Sequence, residues 1–131
     1  MTRPCVVRSI LTASLLAALL AVGGCYVPLL DTVLEPQATF EITSWDQPYY
    51  EYLGYYGIVE VFYRVTNTGP VDIDYYQVWL EVTCADGSQF QEWTNGLDVP
   101  AGGYMTDSTY IDTAEKEVAS VRITHYELTS Y

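Results

Sequence analysis

Two stretches of regular apolar alternation constrain the fold of this chain more than any other feature. They span residues 58–67 and 77–84, and in both a polar side chain follows nearly every apolar one. The apolar positions are Val59, Val61, Tyr63 and Val65 in the first stretch and Val78, Leu80, Val82 and Cys84 in the second. Because successive side chains of a strand point to opposite faces, a period of two predicts strands with one buried face. The first stretch is the longer run, and we expect a central strand there.

Turn signals divide the rest of the chain into further short strands. Asp86-Gly87 is a dipeptide favoured in tight hairpins, and Asn67 to Pro70 combines a glycine and a proline that end a strand. The predicted strands are residues 39–43, 58–67, 71–76 as a short edge segment, 77–84, 89–94, 104–111 and 119–128. A linking loop is expected around residues 95–103, and a helical turn is possible only at 113–118. About seven strands at this spacing predict an all-β fold, a β-sandwich.

The first 24 residues have the pattern of a secretory signal. Arg3 and Arg8 are the only charged residues before Asp31, and residues 10–22 form an almost unbroken apolar run. A run of about 13 residues is too short for a helix that crosses a bilayer, which needs about 20. An apolar segment of this length after a cationic start is typical of a cleaved leader.

The end of this leader, Val22-Gly23-Gly24-Cys25, resembles the lipobox of bacterial lipoproteins. The resemblance implies cleavage after Gly24 and a lipid-modified Cys25 that anchors the protein to a membrane. It further implies the outer membrane if the cell is Gram-negative, because Tyr26 rather than aspartate follows the cysteine. The expected organisation is a signal peptide at 1–24, a lipidated tether at 25–37 and a β-sandwich at 38–131. Cys84 would then be the single free thiol of the mature protein, and its place on an apolar face predicts a buried, inert side chain.

The charge of the chain excludes some partners. From Cys25 onward three cationic residues face 17 acidic ones, a net charge of −14. Such a domain is repelled by nucleic-acid phosphates and by anionic lipid headgroups. Nucleic acid is therefore not an expected partner, whereas cations and basic proteins are not excluded.

Several of the turn and strand signals together resemble the FxLYD-type immunoglobulin-like domains of bacterial lipoproteins. They are Val65 to Gly69, the alternating Val78, Leu80 and Val82, then Asp86-Gly87, then Val99 to Gly103, and the resemblance covers about residues 55–128. Leu80 to Cys84 stands where the naming motif would fall and lacks its tyrosine and aspartate. The resemblance implies an immunoglobulin-like β-sandwich, and the family as a whole implies no single activity.

Few residues suit catalysis or metal binding. His125 is the only histidine, and we expect it to be an ordinary strand residue rather than a general base. The sequence predicts neither an enzyme nor a bound cofactor. Asp72 and Asp74 could bind a calcium ion together with a backbone carbonyl, although residues two apart in a strand also simply share a solvated face.

Aromatic residues supply the best candidate for recognition. Thirteen tyrosines are present, five of them in a loop that spans residues 47–57. The candidate contact residues are Trp45, Tyr49, Tyr50, Tyr52, Tyr55, Tyr56 and Trp93. Aromatic rings offer rigid contact area to sugars, peptides or protein grooves. The alternative is that these rings cap the open end of the sandwich or pack along its strands.

These features lead to one expected function and two alternatives. We expect a membrane-anchored envelope lipoprotein with a non-catalytic interaction or structural module, whose partner is an envelope protein or a glycan. The first alternative is a lipoprotein that binds a glycan or peptide through the tyrosine-rich loop. The second is a protease-inhibitor-like sandwich, in which an acidic loop with a strained tip plugs a basic cleft.

Overall fold

A computed structural model describes residues 35–131 of the chain, and the predicted leader and Cys25 lie outside the described residues. These residues form one compact unit, Glu35–Tyr131. The strands are β1 (Ala38–Asp46), β2 (Tyr49–Tyr50), β3 (Tyr55–Tyr56), β4 (Val59–Asn67), β5 (Ile73–Cys84), β6 (Gln89–Val99), β7 (Tyr104–Ile111) and β8 (Val118–Thr129). Within residues 35–131, no helix has the length and apolar character needed to cross a bilayer.

The strands form two three-stranded antiparallel sheets and a small hairpin. One sheet has the order β1-β4-β7, the other has the order β6-β5-β8, and β2 pairs with β3. The sheets face each other, with β1 beside β8 and β6 beside β7. The predicted all-β sandwich is confirmed.

The core lies between the two central strands, as the apolar alternation predicts. The inward-facing side chains of β4 and β5 are completely or almost completely buried: Val59, Val61, Tyr63, Val65, Ile73, Tyr76, Val78, Leu80, Val82 and Cys84. Cys84 is a free, buried thiol, as predicted. The hairpin predicted at Asp86-Gly87 joins β5 to β6 with Thr83 opposite Gln89. The predicted buried faces of β4 and β5, the buried Cys84 and the hairpin at Asp86-Gly87 are therefore all confirmed.

A buried asparagine closes the end of the sandwich where β4 finishes. The Nδ2 atom of Asn67 donates to the carbonyl oxygens of Val71 (2.8 Å) and Val99 (2.9 Å), and its Oδ1 atom accepts from the Gly69 amide (3.0 Å). Since an unpaired buried amide costs free energy, these three bonds explain how Asn67 is buried without penalty. They also fix the turn that the Asn-Thr-Gly-Pro sequence predicts.

Three local predictions are wrong. Residues 71–76 do not form a separate edge segment, because no glycine or proline interrupts the chain from Ile73 to Cys84 and β5 runs unbroken at the centre of its sheet. The strand β6 continues through the predicted loop as far as Val99, with Leu97 paired to Tyr75. Residues 113–118 contain a tight turn rather than a helical one, because Ala114 and Glu115 have positive φ angles of 54° and 67°.

Gly96 explains why β6 extends so far. It pairs with Tyr76, whose ring is completely buried and crosses beneath it. A Cβ atom at position 96 would overlap the hydroxyl and ring carbons of Tyr76. The glycine is therefore a packing requirement of the strand and does not mark a loop.

We predict that Gly96→Ala lowers the free energy of unfolding by about 1–3 kcal/mol, because the added methyl group must displace the Tyr76 ring. Chemical denaturation of the wild type and the variant measures this. Asn95→Ala, at the exposed neighbouring position, is the control and should change stability by no more than about 0.5 kcal/mol. Equal stability of Gly96→Ala and the wild type would show that Tyr76 does not occupy this space.

Candidate functional site

The tyrosine-rich segment is an ordered hairpin rather than an irregular loop. Tyr49 pairs with Tyr56 and Tyr50 with Tyr55. At the tip, the carbonyl oxygen of Tyr50 accepts hydrogen bonds from the amides of Leu53 (3.0 Å) and Gly54 (2.8 Å). Gly54 has a φ of 73°, a conformation that glycine adopts without strain. We call residues 49–56 the tyrosine hairpin.

Side-chain packing stiffens the hairpin and leaves its tip free. The Tyr49 and Tyr56 rings lie with centroids 4.8 Å apart, and the Tyr50 and Tyr55 rings meet edge to face at 5.7 Å. Tyr52, between these pairs at the tip, has a relative exposure of 103%. Leu53 beside it is also exposed. The hairpin therefore exposes two large side chains at its tip, while two pairs of packed rings hold its strands together.

One glutamine fastens the base of the hairpin to the sandwich. The Nε2 atom of Gln47 lies 2.9 Å from the carbonyl oxygen of Gly57, 2.9 Å from that of Lys116 and 3.1 Å from the Thr113 hydroxyl. Its Oε1 atom accepts from the Val118 amide at 2.9 Å. The side chain thus joins both ends of the hairpin segment to the loop before β8. We call this set of bonds the Gln47 clamp.

The loop that the clamp holds contains a strained turn. Ala114 and Glu115 both have left-handed backbone conformations, which cost a non-glycine residue about 1–2 kcal/mol each. The carboxylate of Asp112 accepts from the Ala114 amide at 2.9 Å, and the buried Thr113 hydroxyl donates to the Lys116 carbonyl at 2.8 Å. These bonds and the clamp hold the strained turn in place, and the turn places Glu115 beside the hairpin.

A groove of about 610 Å³ lies between the tyrosine hairpin, this turn and the adjoining ends of β1, β4 and β7. Its rings, here called the groove tyrosines, are Tyr50, Tyr55, Tyr56 and Tyr110. Its acids, here called the groove carboxylates, are Asp46, Glu60, Asp112 and Glu115. The groove therefore combines flat aromatic surface with concentrated negative charge.

Neighbouring carboxylates raise the pKa values of two groove tyrosines. The pKa of Tyr110 is raised above its ordinary value, chiefly by the hydrogen bond with the Glu60 carboxylate and then by the charge of that group. Desolvation raises the pKa of Tyr56, and the neighbouring Glu117 carboxylate adds to the effect. The hydroxyls of both tyrosines therefore donate to neighbouring carboxylates, so their rings are the part that can contact a ligand.

The structure separates the two tryptophans that the sequence groups with the tyrosines. Trp45 lies at the end of β1 beside Asp46, opposite Val61. Trp93 lies on the other sheet, opposite Trp79, whose ring is 5.0 Å from that of His125. His125 is exposed on β8 and faces Glu127. Trp93 is therefore not part of the groove.

The two aspartates considered for calcium serve as acceptors for the backbone. Asp72 accepts from the Ala101 amide (2.8 Å) and Asp74 from the Tyr131 amide (2.7 Å). Across residues 35–131, no group of three or more His, Cys, Asp or Glu side chains is placed to hold a metal ion.

Sequence reasoning identified the tyrosines of the hairpin and missed what surrounds them. Gln47 carries no local signal of its own, and its partners lie up to 71 positions away. Glu60 and Tyr110 meet only because β4 pairs with β7. Strand alternation correctly predicts that Glu60 points away from the core, but the register that joins it to Tyr110 needs the structure.

No protein-family model matches the chain, and no curated protein matches it. One solved structure with a similar arrangement is described as the X-ray structure of Northeast Structural Genomics Consortium target SoR45. It shares 10% sequence identity with a TM-score of 0.46, over 69% of this chain and 87% of that one. A similarity at this level supports no argument about function.

We predict that Gln47→Ala loosens the hairpin base, because it leaves the Gly57 carbonyl and the Val118 amide without their side-chain partner and removes one of the two donors to the Lys116 carbonyl. The expected loss is about 1–3 kcal/mol of stability. Hydrogen exchange at the Val118 amide should become faster by about tenfold or more. Gln89→Ala, which removes an exposed glutamine with only a 3.4 Å contact to Glu81, is the control. Unchanged exchange at Val118 in Gln47→Ala would contradict the clamp.

Proposed function

We propose that this protein is an exported, lipid-anchored lipoprotein of the bacterial envelope with a non-catalytic, immunoglobulin-like interaction module. Lipid on Cys25 holds it at a membrane, and residues 38–131 form the module. The tyrosine hairpin is its contact element for another envelope component. The observation that carries the proposal is a braced hairpin whose tip exposes Tyr52 and Leu53.

The stiffness of the hairpin supports a role in binding. A contact element that is ordered before it meets its partner loses less conformational entropy on binding than a mobile loop. The paired rings and the Gln47 clamp provide that order. Tyrosine side chains add contact area at low entropic cost, since each has only two rotatable side-chain bonds.

The direction of β1 supports display away from the anchor. The chain enters the sandwich at Ala38, which pairs with Asn67, and reaches the hairpin end at Asp46, which pairs with Glu60. A strand of nine residues spans about 30 Å. A tether attached before Ala38 therefore joins the end of the sandwich opposite the tyrosine hairpin, which suits a partner on the far side from the membrane.

The exposed rings also favour a second candidate, a lipoprotein that binds a glycan or peptide at the same place. Tyr49, Tyr50 and Tyr52 are all exposed on one hairpin, the arrangement that this reading expects. The protease-inhibitor interpretation expects a long acidic loop with a strained tip. The tip of the tyrosine hairpin is unstrained, since only Gly54 has a positive φ there, and the strained residues Ala114 and Glu115 lie in a short turn that the Gln47 clamp holds against the sandwich.

We predict that Cys25→Ser moves the protein from the membrane fraction to the aqueous phase when it is expressed in a bacterium that processes lipoproteins. Acyl chains contribute about 0.8 kcal/mol per buried methylene, and two or three chains give a stable anchor. Detergent phase partition measures this, and mass spectrometry of the mature N-terminus should show an acylated residue 25. Cys84→Ala is the matched cysteine control and should stay membrane-bound. Membrane retention of Cys25→Ser, or an unmodified N-terminus in the parent, would contradict the anchor.

A further inference from the structure

We infer that the groove beside the tyrosine hairpin binds a basic polypeptide segment, whose arginine or lysine side chain enters between the groove tyrosines and the groove carboxylates. The inference rests on the proposed interaction role and specifies the chemistry of the partner. It depends on three observations: the lining of the groove, the positions of the chain's own cations, and an internal example of the same chemistry.

The lining suits a cation with an apolar stem. A guanidinium or ammonium group is attracted both to carboxylates and to the faces of aromatic rings. The methylene groups of arginine or lysine can lie along ring surface while the charged end reaches an acid. The groove offers four tyrosine rings and four carboxylates in one space.

The chain's own cations do not neutralise this charge. Residues 35–131 contain three lysine and arginine side chains, and each pairs with an acid outside the groove. The contacts are Arg64 with Glu41 at 3.7 Å, Lys116 with Asp86 at 3.1 Å and Arg122 with Glu81 at 2.6 Å. The groove carboxylates thus lack an internal ion-pair partner within the described residues, and a basic partner would supply the missing charge.

The same chemistry occurs within the domain itself. The guanidinium of Arg64 lies 4.9 Å from the ring centroid of Tyr104 and 3.7 Å from the Glu41 carboxylate. One arginine, one tyrosine face and one acid therefore already combine on the outer face of the β1-β4-β7 sheet. The groove repeats these components around a space large enough for a side chain from another molecule.

The position of the groove favours a polypeptide over a small cation. The groove tyrosines Tyr50 and Tyr55 belong to the hairpin whose tip exposes Tyr52 and Leu53. A peptide that places a basic side chain in the groove can continue across this tip and contact its apolar surface. The net charge of −14 that the chain carries from Cys25 onward would also speed the approach of a basic partner at low ionic strength.

The test measures binding of a fluorescein-labelled peptide, Gly-Ser-Arg-Gly-Arg-Ser-Gly, to residues 26–131 by fluorescence anisotropy. This segment contains every described strand and the whole core. Glu60→Gln combined with Asp112→Asn removes two groove charges and keeps the acceptors for the Ser108 hydroxyl and the Ala114 amide. We expect about tenfold weaker binding to this variant. Circular dichroism verifies that each variant is folded.

The matched control is Glu92→Gln combined with Asp98→Asn, two exposed acids outside the groove. It removes the same net charge and should bind the peptide within about threefold of the parent. A second peptide with citrulline in place of arginine keeps the shape and removes the charge, and should bind at least about tenfold more weakly.

Three results would overturn the inference: no binding to the parent, equal losses in the groove and control variants, or equal affinity for the citrulline peptide. The last result would indicate recognition of a neutral ligand by the rings. Because the assay uses a protein without Cys25, its failure is independent of the membrane-partition test and leaves the proposed anchor standing.

Discussion

The burial of the inner faces of β4 and β5 is the constraint on which the rest of the structure depends. Each central strand supplies alternating side chains that are excluded from water, and the flanking strands then cover the sides of this core. Two of the buried residues are tyrosines, whose hydroxyls lie 3.1 Å apart. The Tyr76 hydroxyl also donates to the sulfur of Met105 at 3.8 Å. Burial raises the pKa of both phenols, so they remain neutral and their hydrogen bonds persist.

Because the core lies between the two sheets, the ends of the sandwich are formed by turns and by the tyrosine hairpin. At one end, Asn67 satisfies the backbone of a turn and β1 begins. At the other end, the Gln47 clamp fastens a hairpin that no strand of either sheet covers. The two ends of the sandwich therefore differ, since β1 begins at one end and the other presents rings and acids.

The site combines backbone strain with acidic side chains. Two consecutive non-glycine residues, Ala114 and Glu115, adopt left-handed conformations, and the four acids that line the groove have no ion-pair partner in residues 35–131. Strain of this kind persists only where the surrounding structure enforces it, and it is concentrated at functional sites in many proteins. A basic ligand would supply the ion-pair partner that the groove acids lack.

Sequence alone was sufficient for the fold class, because alternation in β4 and β5 and the Asp86-Gly87 turn are local signals. It placed strand ends poorly, since the extent of β6 depends on Gly96 fitting over Tyr76, a contact between positions 20 apart. The tyrosines of the hairpin can be recognised in the sequence, because five of them lie within residues 47–57. The groove cannot be recognised there, because Glu60, Tyr110 and Asp112 come together only through the pairing of β4 with β7 and the turn that follows. Trp93 lies apart from the tyrosines, and nothing local in the sequence reveals that it belongs to the β6-β5-β8 sheet.

The backbone amides around the groove offer the most direct test of where a basic ligand binds, with two distant tryptophans as reference signals. Most residues that line the groove lie within 47–57 and 108–115, whereas Trp79 and Trp93 lie on the outer face of the β6-β5-β8 sheet. In a two-dimensional NMR titration of ¹⁵N-labelled residues 26–131 with the arginine peptide, the amides of residues 47–57 and 108–115 should shift. The indole signals of Trp79 and Trp93 should stay in place. Shifts at Trp79 and Trp93, with residues 47–57 unaffected, would contradict the account.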